Sequence, residues 1–523
     1  MKRLREIWEK KDVECALFFL FLVGMAFYYG WRLFALTPWY DELYTYYYFI
    51  SRGPVYAAIH WPLPNNHVGF SVLSAVLAIF GSPAIGLRGV SWLCSLISLG
   101  LLFAIGKKCL PKGLALAPVF LTASMGLVNT LAVQGRGYAL ASCLFLTALY
   151  ETIEIIGFEK RQKKHYIILA CALIWSLYTL PSSVYFVLPL CVIGGVWLFV
   201  KKRRKEFFAF FITSLISALC TVGLYAIIWL AIGSNLLSKT PGSDVYGQGH
   251  VSIILHNPLL AVKTGVNYML DTPYIQSVGR EGYLSRFFLW IRSLMGSYYE
   301  GCSIVLLLCI GICLAALIYK VFQGRDSQDK EQGFFEWYLL LAFLLTPLML
   351  IIQAALPYYR VFSFFGSLVA LLLVWFLGQL TGLFRGKAAA YIVTAFCGVL
   401  CIVLLMLPAR NAQYSERESA IEDAFSHMEL AHGERVCVTD CDQEYLMKFL
   451  YDREDVRGPM EEADYLLLDR ELFLSEEERQ TRDAAGADSW KFYLSGADIP
   501  WDYLEKEMDI TYENDRFILY KRK

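Results

Sequence analysis

The sequence predicts an α-helical polytopic membrane protein that carries a small soluble α/β domain at its C-terminus. Of its 523 residues, 57% are hydrophobic and 18% are charged, and the apolar residues form long continuous runs. This composition is too apolar for an ordinary soluble globular protein. The charges are also unevenly distributed, because residues 409–523 contain 29 of the 47 acidic residues. We therefore predict a membrane domain over residues 1–408 and a soluble domain over residues 409–523.

The membrane domain is predicted to contain about 11 transmembrane helices, since each crossing of a bilayer needs roughly 20 apolar residues. The basic N-terminal segment precedes a run of this length without a cleavage site of small residues, so we interpret that run as a retained first helix. The predicted spans cover residues 15–35, 84–106, 113–131, 137–156, 166–180, 182–200, 207–232, 300–320, 334–356, 359–380 and 388–408.

A further apolar run covers residues 67–80. With about 14 residues it is short for a span and more typical of a re-entrant or interfacial helix. A model with twelve crossings stays open as the alternative.

Lysine and arginine in the short loops predict the orientation, because such loops stay in the cytoplasm. With the predicted spans, every basic loop falls on one side of the membrane, and the N-terminus lies on that same side. The C-terminal domain is then extracytoplasmic, as are a first loop at 36–83 and a long loop at 233–299. The long loop contains the amphipathic stretch "YLSRFFLWIRSLM", which we expect along the bilayer surface. The basic loops lie at 107–112, 159–164, 201–205, 320–330 and 385–387.

The C-terminal segment combines short apolar runs with helical stretches. The runs "RVCVTD" and "DYLLLD" each end in aspartate, "RFILYKR" closes the chain, and "SERESAIEDAFSHMELA" has a helical pattern. This alternation predicts a small α/β domain. Cys437 and Cys441 could form a disulfide outside the cell, but the favoured interpretation is two ordinary cysteines around a strand end.

Polar and ionisable residues gather at the predicted outer rim of the membrane. Such residues near spans are costly and are therefore functional candidates. Each also has a simpler explanation: a solvated acidic pair, arginines that snorkel to head groups, or a turn. The set consists of Asp41, Glu42, His60, Asn65, Asn66, His67, Gln134, Arg136 and Arg360.

One acidic cluster with separated arginines fits glycosyl transfer from a sugar that is linked through phosphate to a lipid. A carboxylate can take the proton of the acceptor hydroxyl. The leaving phosphate needs cations rather than a proton, and the arginine fork matches two phosphate oxygens. A hydrolase of sugar–sugar bonds would instead use two opposed carboxylates.

Four segments together resemble the GT-C superfamily of membrane glycosyltransferases. They are "WYDELYTYYY", "HWPLPNNHVGFSVLSAVLAIFG", "QGRGYAL" and "PYYRVFSFF", and the resemblance covers roughly residues 10–410. Within the superfamily the chain is similar to bacterial family 39 glycosyltransferases, relatives of the protein O-mannosyltransferases and the lipid A aminoarabinose transferases. These enzymes use polyprenyl-phosphate sugars and invert the anomeric centre. The resemblance therefore implies a GT-C fold.

The resemblance also implies roles for individual residues. The catalytic carboxylate would be Asp41, with Glu42 as its companion, while Arg136 and Arg360 would bind the donor phosphate. The candidates for the substrate pocket are His60, Asn66, His67, Tyr138 and Tyr359.

Two features depart from the family pattern. The family often has a His-Pro-Pro-Leu-like segment, where this chain has "HWPLPNNH". The roles of His60 and His67 therefore stay open. That segment has no clear second carboxylate, and Asp244 and Asp271 in the long loop are poor substitutes, so no cofactor is assigned and a divalent cation is only a possibility.

The predicted function is an inverting glycosyltransferase that moves a sugar from a polyprenyl-phosphate donor to an envelope glycan, lipid or protein. Its expected partners are the lipid-linked donor, the bilayer and the envelope acceptor, with no nucleic acid. The resemblance and the short loops favour the cytoplasmic membrane of a bacterium. One alternative is a transporter or lipid flippase, which should show charges at mid-depth, broken helices and internal symmetry. Another is a glycan polymerase or ligase, which shares the arginines but does not obviously need the acidic pair.

Overall fold

The computed structural model describes residues 13–60, 66–157, 162–232, 259, 275–277, 281–323, 330–383, 387–430, 433–475, 477–478, 481 and 491–523. The chain divides into two compact units. The membrane unit comprises Met1–Leu33 and Arg52–Asn411, and the C-terminal unit comprises Phe34–Ser51 and Ala412–Lys523. The two ranges predicted from the sequence are each continuous, whereas residues 34–51 interrupt the membrane unit and group with the C-terminal domain.

The secondary structure is mainly helical. In chain order, the helices are α1 Val13–Ala35, α2 Tyr40–Thr45, α3 Pro54–Ile59, α4 Val68–Ala78, α5 Pro83–Cys109, α6 Ala117–Ser124, α7 Gly126–Leu131, α8 Tyr138–Gly157, α9 Lys163–Thr179, α10 Val184–Val200, α11 Arg204–Ile232, α12 Tyr283–Tyr298, α13 Ser303–Phe322, α14 Lys330–Gln353, α15 Ser363–Leu383, α16 Lys387–Leu405, α17 Glu416–Ser426, α18 Cys441–Tyr451 and α19 Trp501–Glu507. The strands are β1 Ile275–Ser277, β2 Ala355–Pro357, β3 Val436–Val438, β4 Tyr465–Asp469, β5 Met508–Glu513 and β6 Phe517–Arg522.

Among the described residues, nine helical segments are long and apolar enough to cross a membrane. They coincide with nine of the predicted spans, so the predicted polytopic helical fold is confirmed. The predicted span 113–131 is instead divided into α6 and α7, because the backbone at Met125 is extended, with a ψ of 129°. The predicted span 166–180 corresponds to α9, which has 17 residues.

The apolar run 67–80 forms the short helix α4. Its 11 residues rise by about 16 Å, roughly half of the hydrocarbon thickness. This length agrees with the prediction that the run does not cross the membrane by itself.

Two helices form the centre of the membrane unit. In α8, 78% of the residues of an apolar 18-residue stretch are buried, and in the segment Tyr359–Gly382 the share is 83%. The outer helix α16 instead exposes large apolar side chains such as Ile392, Phe396 and Ile402. In a soluble protein such a face would be a liability, but in a bilayer it contacts lipid. The two central segments begin next to Arg136 and at Arg360, the arginines predicted to bind phosphate.

A small ladder precedes Arg360. Strand β1, from the predicted long outer loop, pairs antiparallel with β2, with Ile275 opposite Pro357. Between α14 and β2, Ala354 has a φ of 53°, a left-handed conformation that is uncommon for a residue with a side chain. The chain therefore turns sharply from α14 into the segment that carries Arg360.

The C-terminal unit is built on a four-stranded sheet in the order β3-β4-β6-β5. Strands β3 and β4 are parallel, and β6 is antiparallel to both β4 and β5. Every residue of β4 is buried, as expected for a strand covered on both faces. The predicted α/β domain is thus present. Cys437 and Cys441 are both free thiols.

Candidate functional site

The turn before α8 holds Arg136 inside the membrane unit. Arg136 is buried, with 1% of its surface exposed. Its backbone N–H donates to the Gln134 carbonyl at 2.7 Å. Ser91 on α5 donates its hydroxyl to the carbonyls of Gln134 and Arg136, at 2.6 and 3.2 Å. The turn is thus fastened to α5, which fixes where the arginine side chain begins.

His67 contacts this turn through both of its ring nitrogens. The Gly137 backbone N–H donates to Nδ1 at 2.8 Å, so Nδ1 carries no proton. Nε2 lies 3.3 Å from Nη2 of Arg136. Burial lowers the pKa of His67 well below its usual value, and the positive charges of Arg136 and Arg360 lower it further.

The proton of the neutral His67 ring is therefore on Nε2. A guanidinium can only donate hydrogen bonds, so Nε2–H and the Arg136 fork present two neighbouring groups of donors. Such an arrangement favours an acceptor, above all an anion, that contacts both donors from the same side.

Tyr138 links these residues to Arg360. The Tyr138 ring meets the His67 ring edge-on, with centroids 5.0 Å apart. The Arg360 guanidinium lies over the Tyr138 ring at 5.7 Å and over the Tyr358 ring at 4.9 Å. Together, His67, Arg136, Tyr138 and Arg360 form what we call the cationic cluster. It joins three segments that lie far apart in the sequence.

Two other predicted pocket residues, His60 and Asn66, contact residues of α3 and α4. The amide of Asn66 donates to the carbonyls of His60 and Ala57, at 2.7 and 3.2 Å, and its oxygen accepts from Ser71 at 2.7 Å. The ring of His60 stacks on Tyr56 at 4.3 Å. Burial, with a smaller effect from Arg52, lowers the pKa of His60 to about 4. Both side chains thus have structural partners, and Asn65 lies outside the described residues.

Tyr359 contacts an aromatic residue of α12. Its ring lies 5.9 Å from that of Trp290, and the Trp290 indole donates to the Pro357 carbonyl at 2.8 Å. Trp290 also lines a cavity of about 180 Å³. The lining of this cavity is almost wholly apolar and includes Phe287, Phe343 and Phe362. The half-buried Tyr359 thus contacts Trp290, which lines the cavity, and directly precedes Arg360 in the chain.

The acidic pair lies in the C-terminal unit, on α2. Glu42 is fully buried, and its carboxylate accepts from the Trp39 backbone N–H at 3.2 Å. Asp41 retains partial exposure, and its carbonyl accepts from the Thr45 hydroxyl at 2.7 Å. The two adjacent carboxylates thus differ: Glu42 caps its own helix, while Asp41 keeps part of its surface accessible.

Within the described ranges, no group of three or more His, Cys, Asp and Glu side chains could hold a metal ion. Asp244 and Asp271 lie outside those ranges. No described residue is assigned to a divalent cation.

Two side chains of this site were missed at the level of sequence. Tyr358 contacts Arg360 through its ring, and its neighbouring position in "PYYR" is a signal that could have identified it. Ser91 supports the Arg136 turn, but it lies inside a predicted span. A serine there has no pattern that separates it from an ordinary helix residue.

Part of the membrane unit is similar to a known protein family. Residues 67–233 match the family described as dolichyl-phosphate-mannose-protein mannosyltransferase. This range begins at His67 and includes Arg136 and Tyr138. No curated protein sequence matches the chain.

Solved structures extend the likeness beyond this range. The crystal structure of ArnT from Cupriavidus metallidurans bound to undecaprenyl phosphate has a TM-score of 0.51 at 12% identity, over 98% of this chain and 98% of that chain. The archaeal oligosaccharyltransferase AglB from Archaeoglobus fulgidus, in complex with an inhibitory peptide and a dolichol-phosphate, has a TM-score of 0.49 at 10% identity, over 88% of this chain and 70% of that chain. At these identities the likeness to ArnT is one of fold. The GT-C fold predicted from the sequence is confirmed: the chain is a multi-pass membrane protein with the fold of ArnT, and its residues 67–233 are similar to the protein mannosyltransferases.

Proposed function

We propose that this protein is an inverting glycosyltransferase that moves a sugar from a polyprenyl-phosphate donor to an envelope glycan, lipid or protein. The transfer would take place at the outer face of the cytoplasmic membrane. The observation that carries the proposal is the cationic cluster, in which two arginines and a neutral histidine meet at the starts of the two central helical segments. Donors of this kind suit the phosphate of a lipid-linked sugar.

In this proposal, Arg136 and Arg360 bind the phosphate oxygens and His67 donates from Nε2. A hydrogen bond to a charged group contributes roughly 1.5–3 kcal/mol. Phosphate leaves with its own negative charge, so the site needs stationary donors rather than a proton. The lowered pKa of His67 fits this role, because a ring that stays neutral acts as a donor and not as an acid.

Asp41 is assigned as the general base. It takes the proton of the acceptor hydroxyl as that oxygen attacks the anomeric carbon. The bond from the anomeric carbon to the phosphate oxygen breaks on the opposite face, and the configuration inverts. Glu42 is assigned to capping α2, as its contact with the Trp39 N–H supports.

The lipid part of the donor is assigned to the membrane unit. The cavity of about 180 Å³ beside Tyr359 is large and apolar enough for several isoprene carbons. ArnT, whose fold this chain shares, was solved with undecaprenyl phosphate. Both observations support a polyprenyl phosphate as the carrier, and no step is assigned to a divalent cation.

A transporter is the second candidate, and one observation favours it. The break between α6 and α7 at Met125 is a feature that transporters use at their binding sites. A transporter would move the lipid-linked sugar intact.

The test is release of free polyprenyl phosphate. Purified full-length protein in liposomes is given a polyprenyl-phosphate sugar and an envelope acceptor fraction, and the lipids are quantified by mass spectrometry. We expect release by the wild type and by the control Asp455→Asn, and a loss of about 100-fold or more in Asp41→Asn, since general-base catalysis contributes about that much. Translocation of intact donor without release would favour the transporter instead.

A further inference from the structure

We propose that the C-terminal domain holds the helix that carries Asp41, and that Glu418 is a positioning residue for the reaction. This inference rests on the proposed function, since it takes Asp41 as the base. The contacts that support it all lie within the C-terminal unit. They give that domain a part in catalysis that its own sequence does not suggest.

The first observation is the burial of Leu43. This side chain, two residues after Asp41, has no exposed surface and belongs to the hydrophobic core of the C-terminal domain. Its neighbours in that core include Ile421 of α17 and Leu446 of α18. Helix α2 has only six residues and would be marginal by itself. Its conformation therefore depends on the domain into which Leu43 is inserted.

Aromatic contacts extend this attachment along α18. The ring of Tyr47 stacks on Tyr445 at 5.6 Å, and the Tyr40 ring lies 6.0 Å from the same residue. One turn further, Tyr46 meets Phe449 edge-on at 5.5 Å. The segment on both sides of Asp41 is thus packed against one helix of the domain.

The second observation is a cap supplied from outside the helix. The first N–H groups of a helix have no partner within it. Trp39 donates to Glu42 inside the segment, but Tyr40 N–H donates to Oε1 of Glu418 at 2.8 Å. Glu418 is 2% exposed, so this charged hydrogen bond is shielded from water and from salt. It fixes the residue directly before Asp41.

Helix α17, which carries Glu418, is itself held in place. The neighbouring Arg417 is 4% exposed and binds three buried carboxylates. The distances are 2.6 Å to Asp440 and 2.9 Å to Asp442, and the third partner is Asp469 at the end of β4. The helix that supplies the cap is therefore anchored to the sheet of the domain.

These contacts predict a specific kinetic effect. A general base must lie within hydrogen-bond reach of the proton that it takes, and small misplacements lower the rate strongly. The side chains proposed to bind phosphate belong to the membrane unit, whereas the Glu418 cap lies in the C-terminal unit. Loss of the cap should lower kcat and leave the KM for the donor nearly unchanged.

The experiment compares three variants of the full-length protein in the release assay. In Glu418→Ala we expect kcat to fall about tenfold or more, because an ångström-scale shift of a reacting group costs roughly that much. Donor KM should change by less than about twofold, as expected when ground-state binding is retained. Glu418→Gln keeps an acceptor oxygen for the Tyr40 N–H and should restore most of kcat. The control is Glu416→Ala, an exposed residue of the same helix, which should behave as the wild type.

A second variant guards against misfolding of Glu418→Ala. Tyr445→Ala removes the ring that packs on Tyr40 and Tyr47 but leaves the cap intact, and it should also lower kcat at unchanged donor KM. Wild-type kcat in both variants would overturn the inference, as would an equal loss in the Ala and Gln variants of Glu418. An inactive wild type, or an active Asp41→Asn variant, would instead overturn the proposed function.

Discussion

At the scale of single residues, the acidic pair shows what sequence can and cannot assign. The adjacent Asp41 and Glu42 were both predicted to be catalytic candidates because two carboxylates follow a membrane span. Their division of work depends on which side chain turns back to the helix start, and Glu42 does so by accepting from Trp39. The sequence pattern does not indicate which of the two side chains makes this contact. The pair was predictable from its residue types, but the roles were not.

His67 offers a prediction about its ring nitrogens. His67→Gln can still accept from the Gly137 N–H and donate toward the phosphate, whereas His67→Phe keeps only the ring. We expect His67→Phe to weaken donor binding about 10- to 100-fold, the equivalent of one hydrogen bond to a charged group. His67→Gln should retain most of the affinity. Titration with polyprenyl phosphate as an inhibitor measures both, and equal affinities in wild type and Phe would refute a donor role for His67.

The two arginines offer a prediction about geometry rather than charge. Arg136→Lys and Arg360→Lys keep a positive charge but lose the fork that matches two phosphate oxygens. We expect donor KM to rise about tenfold in each, which corresponds to about 1.4 kcal/mol. The exposed Arg292 serves as the control, and Arg292→Lys should leave KM unchanged. Unaltered KM in both site variants would argue against phosphate binding by these residues.

At the scale of elements, the break in the predicted span 113–131 is stabilised by a residue outside the span. The break at Met125 frees backbone groups that lipid cannot satisfy. Arg410 donates to the Ser124 carbonyl at 3.1 Å, and a side chain at Gly126 would meet Arg410 Nη1 at 2.8 Å. A residue nearly three hundred positions away thus satisfies the break. Local hydropathy predicted the apolar run correctly but could not predict this partner.

The packing of α8 on α9 behind His67 is tight and can be tested. A Cβ added at Gly137 would lie 2.6 Å from Thr179 Cγ2 and 3.1 Å from His67 Cβ. Gly137→Ala should therefore destabilise the protein by about 1–3 kcal/mol through overpacking, and it should weaken donor binding by displacing His67. Gly223 has open space around it, so Gly223→Ala should be neutral or slightly stabilising. Thermal unfolding in detergent compares the two, and equal melting temperatures would contradict the packing argument.

At the scale of the whole molecule, hydropathy predicted nine of the membrane spans correctly because each of them is one continuous apolar run. It could not predict that residues 34–51 group with the C-terminal domain. That grouping depends on side chains such as Leu43, which sit in a core made by residues almost four hundred positions later. Contacts of this kind leave no periodic signal near either partner.

The orientation of the chain remains a prediction that reporter fusions can test. Lysines at the helix ends next to the basic loops form ion pairs with acids of other helices, such as Lys107 with Glu14 at 3.1 Å and Lys320 with Glu336 at 2.5 Å. Acidic partners contribute little to orientation, so lysine and arginine still determine it. We expect a fusion after residue 160 to report the cytoplasm and a fusion after residue 500 to report the outside. A cytoplasmic signal at 500 would contradict the topology.

The central claim is that Asp41 is the base in an inverting transfer from a polyprenyl-phosphate sugar. The most direct measurement is donor turnover by Asp41→Ala with and without azide, a small nucleophile that needs no deprotonation. We predict no turnover without azide, and with azide the release of polyprenyl phosphate together with a glycosyl azide of inverted configuration. Transfer by Asp41→Ala at the wild-type rate without azide, or a product of retained configuration, would contradict the account.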